Sequence, residues 1–110
     1  MAEKRKAKRF PINLKAHYFP GEERESGKEC TIINVSRDGA GLEFYTSEEI
    51  VVGSTPLLEI VCPEIRKSTN VEGVVRWVKQ GKRDFIGGIE VTARSDEDKL
   101  ANLLMYTMGI

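Results

Sequence analysis

The sequence predicts one mainly β domain, an antiparallel barrel or sandwich, with a single helix at its carboxyl end. Six or so short segments of alternating or β-branched residues are separated by turn residues. No helical period interrupts them before residue 95, which disfavours a parallel sheet with crossover helices. The 110 residues, 40% of them hydrophobic, can form one core that needs no disulfide or structural metal.

The first three predicted strands are separated by polar segments. PINLKAHYF, residues 11–19, alternates apolar and polar residues as a half-buried strand does. PGEERESGKE, residues 20–29, begins with two chain-breaking residues and predicts a loop. CTIINVS, residues 30–36, is rich in β-branched residues, and AGLEFYT, residues 40–46, resumes the extended structure after a turn.

Three further strands follow. VVGSTPLLEIVCP, residues 51–63, predicts a turn around Gly53 to Pro56 and a short apolar strand from Leu57 to Cys62. STNVEGVVRWVKQ, residues 68–80, is the longest β-favouring run, and Gly73 within it indicates a bulge or a close approach of backbones. GKRD then joins it to FIGGIEV, residues 85–91, which predicts a hairpin.

The last segment changes to helical spacing. Ser95 has the character of an N-cap, with acidic residues in the first turn and Asp98 in the acidic position of a capping box. Gly109 marks the predicted stop. The apolar positions expected to pack on the barrel are Leu100, Leu103, Leu104 and Met108.

Several function classes are poorly supported by the composition. Cys30 and Cys62 lie far apart and are expected to be buried, reduced thiols, and with His17 as the only histidine no metal-ligand set is predicted. His17 falls on the polar side of its strand, and no catalytic signature or membrane span is present, so we predict a cytoplasmic protein that is not an enzyme. The zero net charge and pI near 6.6 disfavour general nucleic-acid binding.

A run of cations, RKAKRFPI, occupies residues 5–12. Arg5 and Arg9 are four residues apart, with Lys4, Lys6 and Lys8 around them. Arginine can bond phosphate oxygens or the O6 and N7 edge of guanine through two parallel hydrogen bonds, whereas lysine acts as a point charge. By itself such a run is typical of a solvated tail.

A second polar cluster, NVSRDGAG, lies between two predicted strands. Asn34 and Ser36 are two apart, so in extended structure their side chains share a face. Both offer hydrogen-bonding groups, and Asp38 with Gly39 can turn the chain next to them. Taken alone, the segment is more typical of an ordinary hairpin turn with local bonds between side chains and backbone.

Together these two segments resemble the signature of PilZ domains, RxxxR followed by [D/N]xSxxG. The resemblance extends to EGVVRWV and IGGIEV, and it implies a six-stranded antiparallel β-barrel with a helix that serves as a bacterial receptor for the second messenger cyclic di-GMP. Carried over, Arg5 and Arg9 would clamp phosphates and guanine edges, Asn34 and Ser36 would bond a guanine, and Gly39 would turn the backbone beneath it.

The resemblance also divides the chain and leaves alternatives open. Residues 1–11 would be a flexible arm that orders over the ligand, and residues 12–110 the barrel with its helix; Lys4 and Trp77 are candidate additional contacts. No cofactor is expected besides the ligand, and the signal would pass to an unidentified downstream protein. The alternatives are a PilZ-fold adaptor that binds no nucleotide and a small barrel that binds single-stranded nucleic acid.

Overall fold

The computed structural model describes residues 9–19, 27–36, 40–62 and 67–108. Six strands and one helix lie in these residues, and the mainly β prediction is confirmed. Every neighbouring pair of strands is antiparallel, and the strands form a closed ring in the order β1, β2, β3, β6, β5, β4. The elements are β1 (Arg9–Phe19), β2 (Lys28–Ser36), β3 (Gly41–Thr46), β4 (Leu57–Cys62), β5 (Lys67–Gln80), β6 (Phe85–Val91) and α1 (Arg94–Met108).

The core fills the inside of this ring. Alternate residues of each strand point inward, as the period-two pattern of the sequence predicts. Phe44 is fully buried near the centre and stacks against Tyr18, with ring centroids 5.3 Å apart. Cys30 is a buried free thiol, as expected, and burial raises its pKa to about 12. The other large, fully buried aliphatic side chains of the described residues are Ile32, Leu42, Leu58, Ile60, Leu100, Val35, Val71 and Val75.

Two predicted turns are confirmed. The peptide after β3 turns at Gly53, whose φ of 91° lies in the left-handed region that favours glycine. There the Ser54 N–H donates to the carbonyl oxygen of Val51 over 3.2 Å. Residues 81–84 join β5 to β6, where Gln80 pairs with Phe85.

Gly73 has the close contact that its position in a long strand indicated, but the bulge is elsewhere. A Cβ atom on Gly73 would collide with the side chain of Ile89 and the backbone of Glu90 on β6. The irregularity of β5 lies between Val75 and Trp77, where β5 has one residue more than β6. The strand therefore changes the face of its side chains at this bulge and not at the glycine.

The helix begins earlier than the sequence predicted. α1 starts at Arg94, so the prediction of Ser95 as the N-cap was wrong: Ser95 lies inside the first turn. The backbone N–H groups of Asp96 and Glu97 both donate to the carbonyl oxygen of Ala93 over 3.0 Å, which places the start of the helix at that residue.

Hydrogen bonds to β5 and apolar packing on the core attach α1 to the barrel; one of the bonds runs from Nζ of Lys99 to the carbonyl oxygen of Asn70 over 3.1 Å. Asp96 is buried, and its Oδ2 accepts a 3.0 Å hydrogen bond from the backbone N–H of Glu72. Leu100 and Leu103 join the core, as predicted, whereas the side chains of Leu104 and Met108 lie outside the described part of the chain. Within the described residues, no helix combines the length and apolar character that crossing a bilayer requires.

Candidate ligand-binding site

Three side chains from the first three strands meet on the outer face of the barrel. Nη1 of Arg9 donates to Oδ1 of Asn34 over 3.0 Å, and the amide of Asn34 donates to Oε1 of Glu43 over 2.6 Å. Nη1 of Arg9 also lies 3.5 Å from Oε2 of Glu43. We call Arg9, Asn34 and Glu43 the polar triad. Its arginine and carboxylate side chains are only 22% and 13% exposed, so water screens their charges less than at an open surface.

A β-bulge turns the motif asparagine of β2 to the outside. Ile32 points into the core, and strict alternation would bring Asn34 and Ser36 inward after it. One extra residue of β2, between Ile32 and Asn34, interrupts the pairing with β3, and Val35 becomes the next core residue. Asn34 therefore shares the outer face with Glu43, its partner on β3.

Ser36 lies beside the triad but is buried. Its Oγ accepts a 2.9 Å hydrogen bond from the backbone N–H of Gly41, so it ties the end of β2 to the start of β3. Arg9 pairs with Ser36 across β1 and β2. Gly41 faces the same place, because a Cβ atom there would lie 3.7 Å from Nη2 of Arg9. The motif serine thus fixes the backbone that supports the triad.

A row of paired residues connects the triad to Trp77. Asn34 pairs with Glu43, Glu43 with Gly88 on β6, and Gly88 with Trp77 on β5. The indole covers Gly88 so closely that any Cβ there would collide with it. Trp77 is 37% exposed on the outer face, because the bulge after Val75 reverses the alternation. Three strand spacings, about 14 Å, separate Asn34 from Trp77.

Part of the predicted site lies outside the described residues. Lys4, Arg5 and Gly39 are there, as are residues 1–8 of the predicted arm, whereas β1 begins at Arg9, inside that arm. Sequence reasoning missed Glu43 and Gly88. The signal for Glu43 was present, since it stands between two core residues of β3, directly across from the motif asparagine.

A groove of about 370 Å³ lies on another part of the barrel and contains none of the motif residues. It is lined by residues of β1, β2 and β3, by Ser47 directly after β3, and by Val61 of β4. His17, on its wall, is half-exposed, and its Nδ1 lies 3.5 Å from Oε1 of Glu59. Among the described residues, no three histidine, cysteine or acidic side chains are grouped closely enough to hold a metal ion.

Comparisons with known proteins identify the family. The PilZ domain model matches residues 3–108. Among the solved structures that match, the Inhibitor of motility (MotI/DgrA) of Bacillus subtilis has a TM-score of 0.69 at 18% identity and covers 98% of this chain. The chain spans only 53% of that structure, so this similarity shows the fold alone. A comparison with curated protein sequences gave no match.

The family match includes both motif segments and all six strands. Its extent, together with the observed barrel and helix, confirms the family that the sequence resembled. The chain belongs to the PilZ domain family, whose members are receptors and adaptors linked to cyclic di-GMP.

Proposed function

We propose that this protein is a non-enzymatic receptor for cyclic di-GMP that passes its signal to a partner protein in the cytoplasm. The observation that carries the proposal is the polar triad, in which the second motif arginine already lies against the motif asparagine. The family membership supports cyclic di-GMP as the ligand, and the aromatic face of Trp77 in the same row adds a surface on which a purine can stack.

The side chains of this row have complementary tasks in the proposal. Arg9 offers a planar fork for a phosphate or for the O6 and N7 edge of guanine. Asn34 supplies an amide to a base, and Ser36 keeps β2 and β3 together beneath it. Arg5 and Lys4 would add cations from the N-terminal residues, and Gly39 would supply the turn.

Glu43 opposes the ligand in the free protein. Its carboxylate accepts from Asn34 and lies 3.5 Å from Nη1 of Arg9, so it occupies the groups that the nucleotide would use. Ligand binding must exchange this carboxylate for a phosphate or a base edge. We propose that the arm closes over the nucleotide during this exchange through the residues that precede β1, since Arg9 to Pro11 already pair with β2, and that the new surface is what the partner recognises. Ordering backbone costs about 1 to 2 kcal/mol per residue, so we expect micromolar affinity.

Titration calorimetry with cyclic di-GMP tests the proposal. We expect binding by the unaltered protein and a loss of about 1 to 3 kcal/mol in Arg9→Ala, the scale of one bidentate contact. Arg76→Ala is the matched control, since Arg76 is also an ion-paired arginine on the outer face, bonded to Glu90 over 2.6 Å. Absence of heat at micromolar protein, or equal losses in both variants, would contradict the proposal.

An adaptor that binds no nucleotide is the second candidate. The specific observation in its favour is that both partners of Arg9 belong to the protein itself, so the triad also fits a purely structural role. The two functions separate in one comparison. In an adaptor, Arg9→Ala lowers the thermal stability of the fold, and cyclic di-GMP does not change the melting temperature of the unaltered protein.

A further inference from the structure

Among the described residues, the strand β5 has no neighbour along one edge near its end. On this edge β4 pairs with β5 as far as Glu72. The segment before β4 continues the pairing with β5 as far as Val75. There, the N–H of Gly53 donates to the carbonyl oxygen of Val75 over 2.8 Å, and the N–H of Val75 donates to that of Ser54 over 2.9 Å. From residue 76 to residue 80, no described residue pairs with β5 on this side, although β6 pairs with it on the other.

The hairpin register shows which backbone groups face this edge. The N–H of Gly81 donates to the carbonyl oxygen of Asp84 over 2.8 Å, which makes them a hydrogen-bonded pair. Such pairs alternate along an antiparallel ladder, so Lys79 is also hydrogen-bonded to β6, whereas Val78 and Gln80 are not. The N–H and C=O groups of Val78 and Gln80 therefore point away from β6, as in a strand that can accept a neighbour.

The surroundings of the edge combine apolar and basic side chains. Val51 and Val52, 61% and 57% exposed, lie in the turn that directly precedes the paired peptide. Lys79, Lys82 and Arg83 are exposed at the end of the hairpin, and among the described residues no carboxylate forms an ion pair with them. Exposed apolar residues beside unsatisfied strand groups are typical of sites where a protein accepts a peptide.

We propose that the edge of β5 from Arg76 to Gln80 binds an extended, acidic segment of a partner protein by adding it to the sheet as a strand. The backbone groups of Val78 and Gln80 would supply the ladder, and Lys79 with the hairpin cations would select carboxylate side chains. Pairing with a second copy of the chain is disfavoured, because it would bring these cations of both copies together. Lysine on a strand edge also prevents such self-association.

A synthetic peptide provides the probe: a capped nine-residue peptide in which glutamate and valine alternate. NMR titration should shift the amide signals of Val78 and Gln80 and slow their hydrogen exchange. Gln80→Pro removes a backbone N–H that faces the free edge and leaves the hydrogen bonds to β6 intact. It should weaken binding of the peptide at least about tenfold. Gln80→Ala, which keeps the donor, should bind within about twofold of the unaltered protein.

Charge reversal keeps the test decisive even if the proline variant unfolds. The double variant Lys79→Glu, Lys82→Glu should no longer bind the acidic peptide. It should instead bind a peptide in which lysine and valine alternate. Three results would each overturn the proposal. They are NMR shifts centred on other strands, equal binding of both peptides, and a dimer that pairs through β5 and is not dissociated by the acidic peptide. It does not depend on nucleotide binding, since every arm of the test is run without cyclic di-GMP.

Discussion

Replacing Glu43 by glutamine should tighten the binding of cyclic di-GMP. The carboxylate of Glu43 lies 3.5 Å from the guanidinium of Arg9 and 2.6 Å from the amide of Asn34. Glutamine keeps an acceptor for Asn34, but it carries no charge to hold Arg9 or to repel the phosphates of the ligand. The substitution therefore removes an internal competitor while preserving the shape of the site.

The magnitude follows from the burial of the pair. Exposed ion pairs contribute about 0.2 to 1 kcal/mol, whereas hydrogen bonds to charged groups contribute about 1.5 to 3 kcal/mol. Arg9 and Glu43 are mostly buried, which strengthens their attraction, but their charged atoms are 3.5 Å apart, which is long for a hydrogen bond between charged groups. An intermediate value therefore applies. We expect a gain in binding of about 1 to 2 kcal/mol, a roughly 5- to 30-fold lower Kd. The free protein should lose a similar amount of stability.

Calorimetric titration and thermal unfolding of the same samples measure both quantities. Glu59→Gln is the matched control, because it removes the same charge from the outer face of β4, which lies opposite β3 in the ring. It should leave the Kd within about twofold of the unaltered protein. An unchanged Kd in Glu43→Gln would refute the competition, and weaker binding would show that the carboxylate contacts the ligand directly.

Three further predictions concern the helix, the core thiol and the aromatic contact. Asp96→Ala should destabilise the fold by about 1 to 3 kcal/mol in urea unfolding, because the N–H of Glu72 loses its acceptor, while the exposed Asp98→Ala stays within about 0.5 kcal/mol. Burial raises the pKa of Cys30 from 9.0 to about 12, so the buried neutral thiol contributes its full stabilisation below pH 9 and loses it as the pH rises to about 12. Cys30→Ala should therefore flatten the decline in the free energy of unfolding between pH 9 and pH 12. The same decline in the variant would exclude the thiol as its cause. Trp77→Ala should weaken the binding of cyclic di-GMP by about 1 to 3 kcal/mol, and Trp77→Phe should weaken it by less. Equal binding by both variants and the unaltered protein would show that the indole does not contact the ligand.

Much of the fold followed from local pattern. The alternation of Leu14, Ala16 and Tyr18 correctly predicted the buried face of β1, and the turn residues around Gly53 predicted the break before β4. These inferences succeeded because period-two burial and left-handed backbone conformations depend on a few neighbouring residues. The start of the helix was missed, since the N-terminal contacts of α1 involve Ala93 and the distant backbone of β5.

The sequence by itself determined the motif residues of the candidate site, because the spacing of Arg9, Asn34 and Ser36 is a property of the chain alone. Tertiary structure decided which way these groups face. Strict alternation from Ile32 and from Val75 would have pointed Asn34 and Trp77 into the barrel, and one extra residue in each strand reverses them. Such bulges depend on the register with the neighbouring strands, which no local pattern specifies. The same pairing brought Glu43, a residue outside the motif, against Arg9.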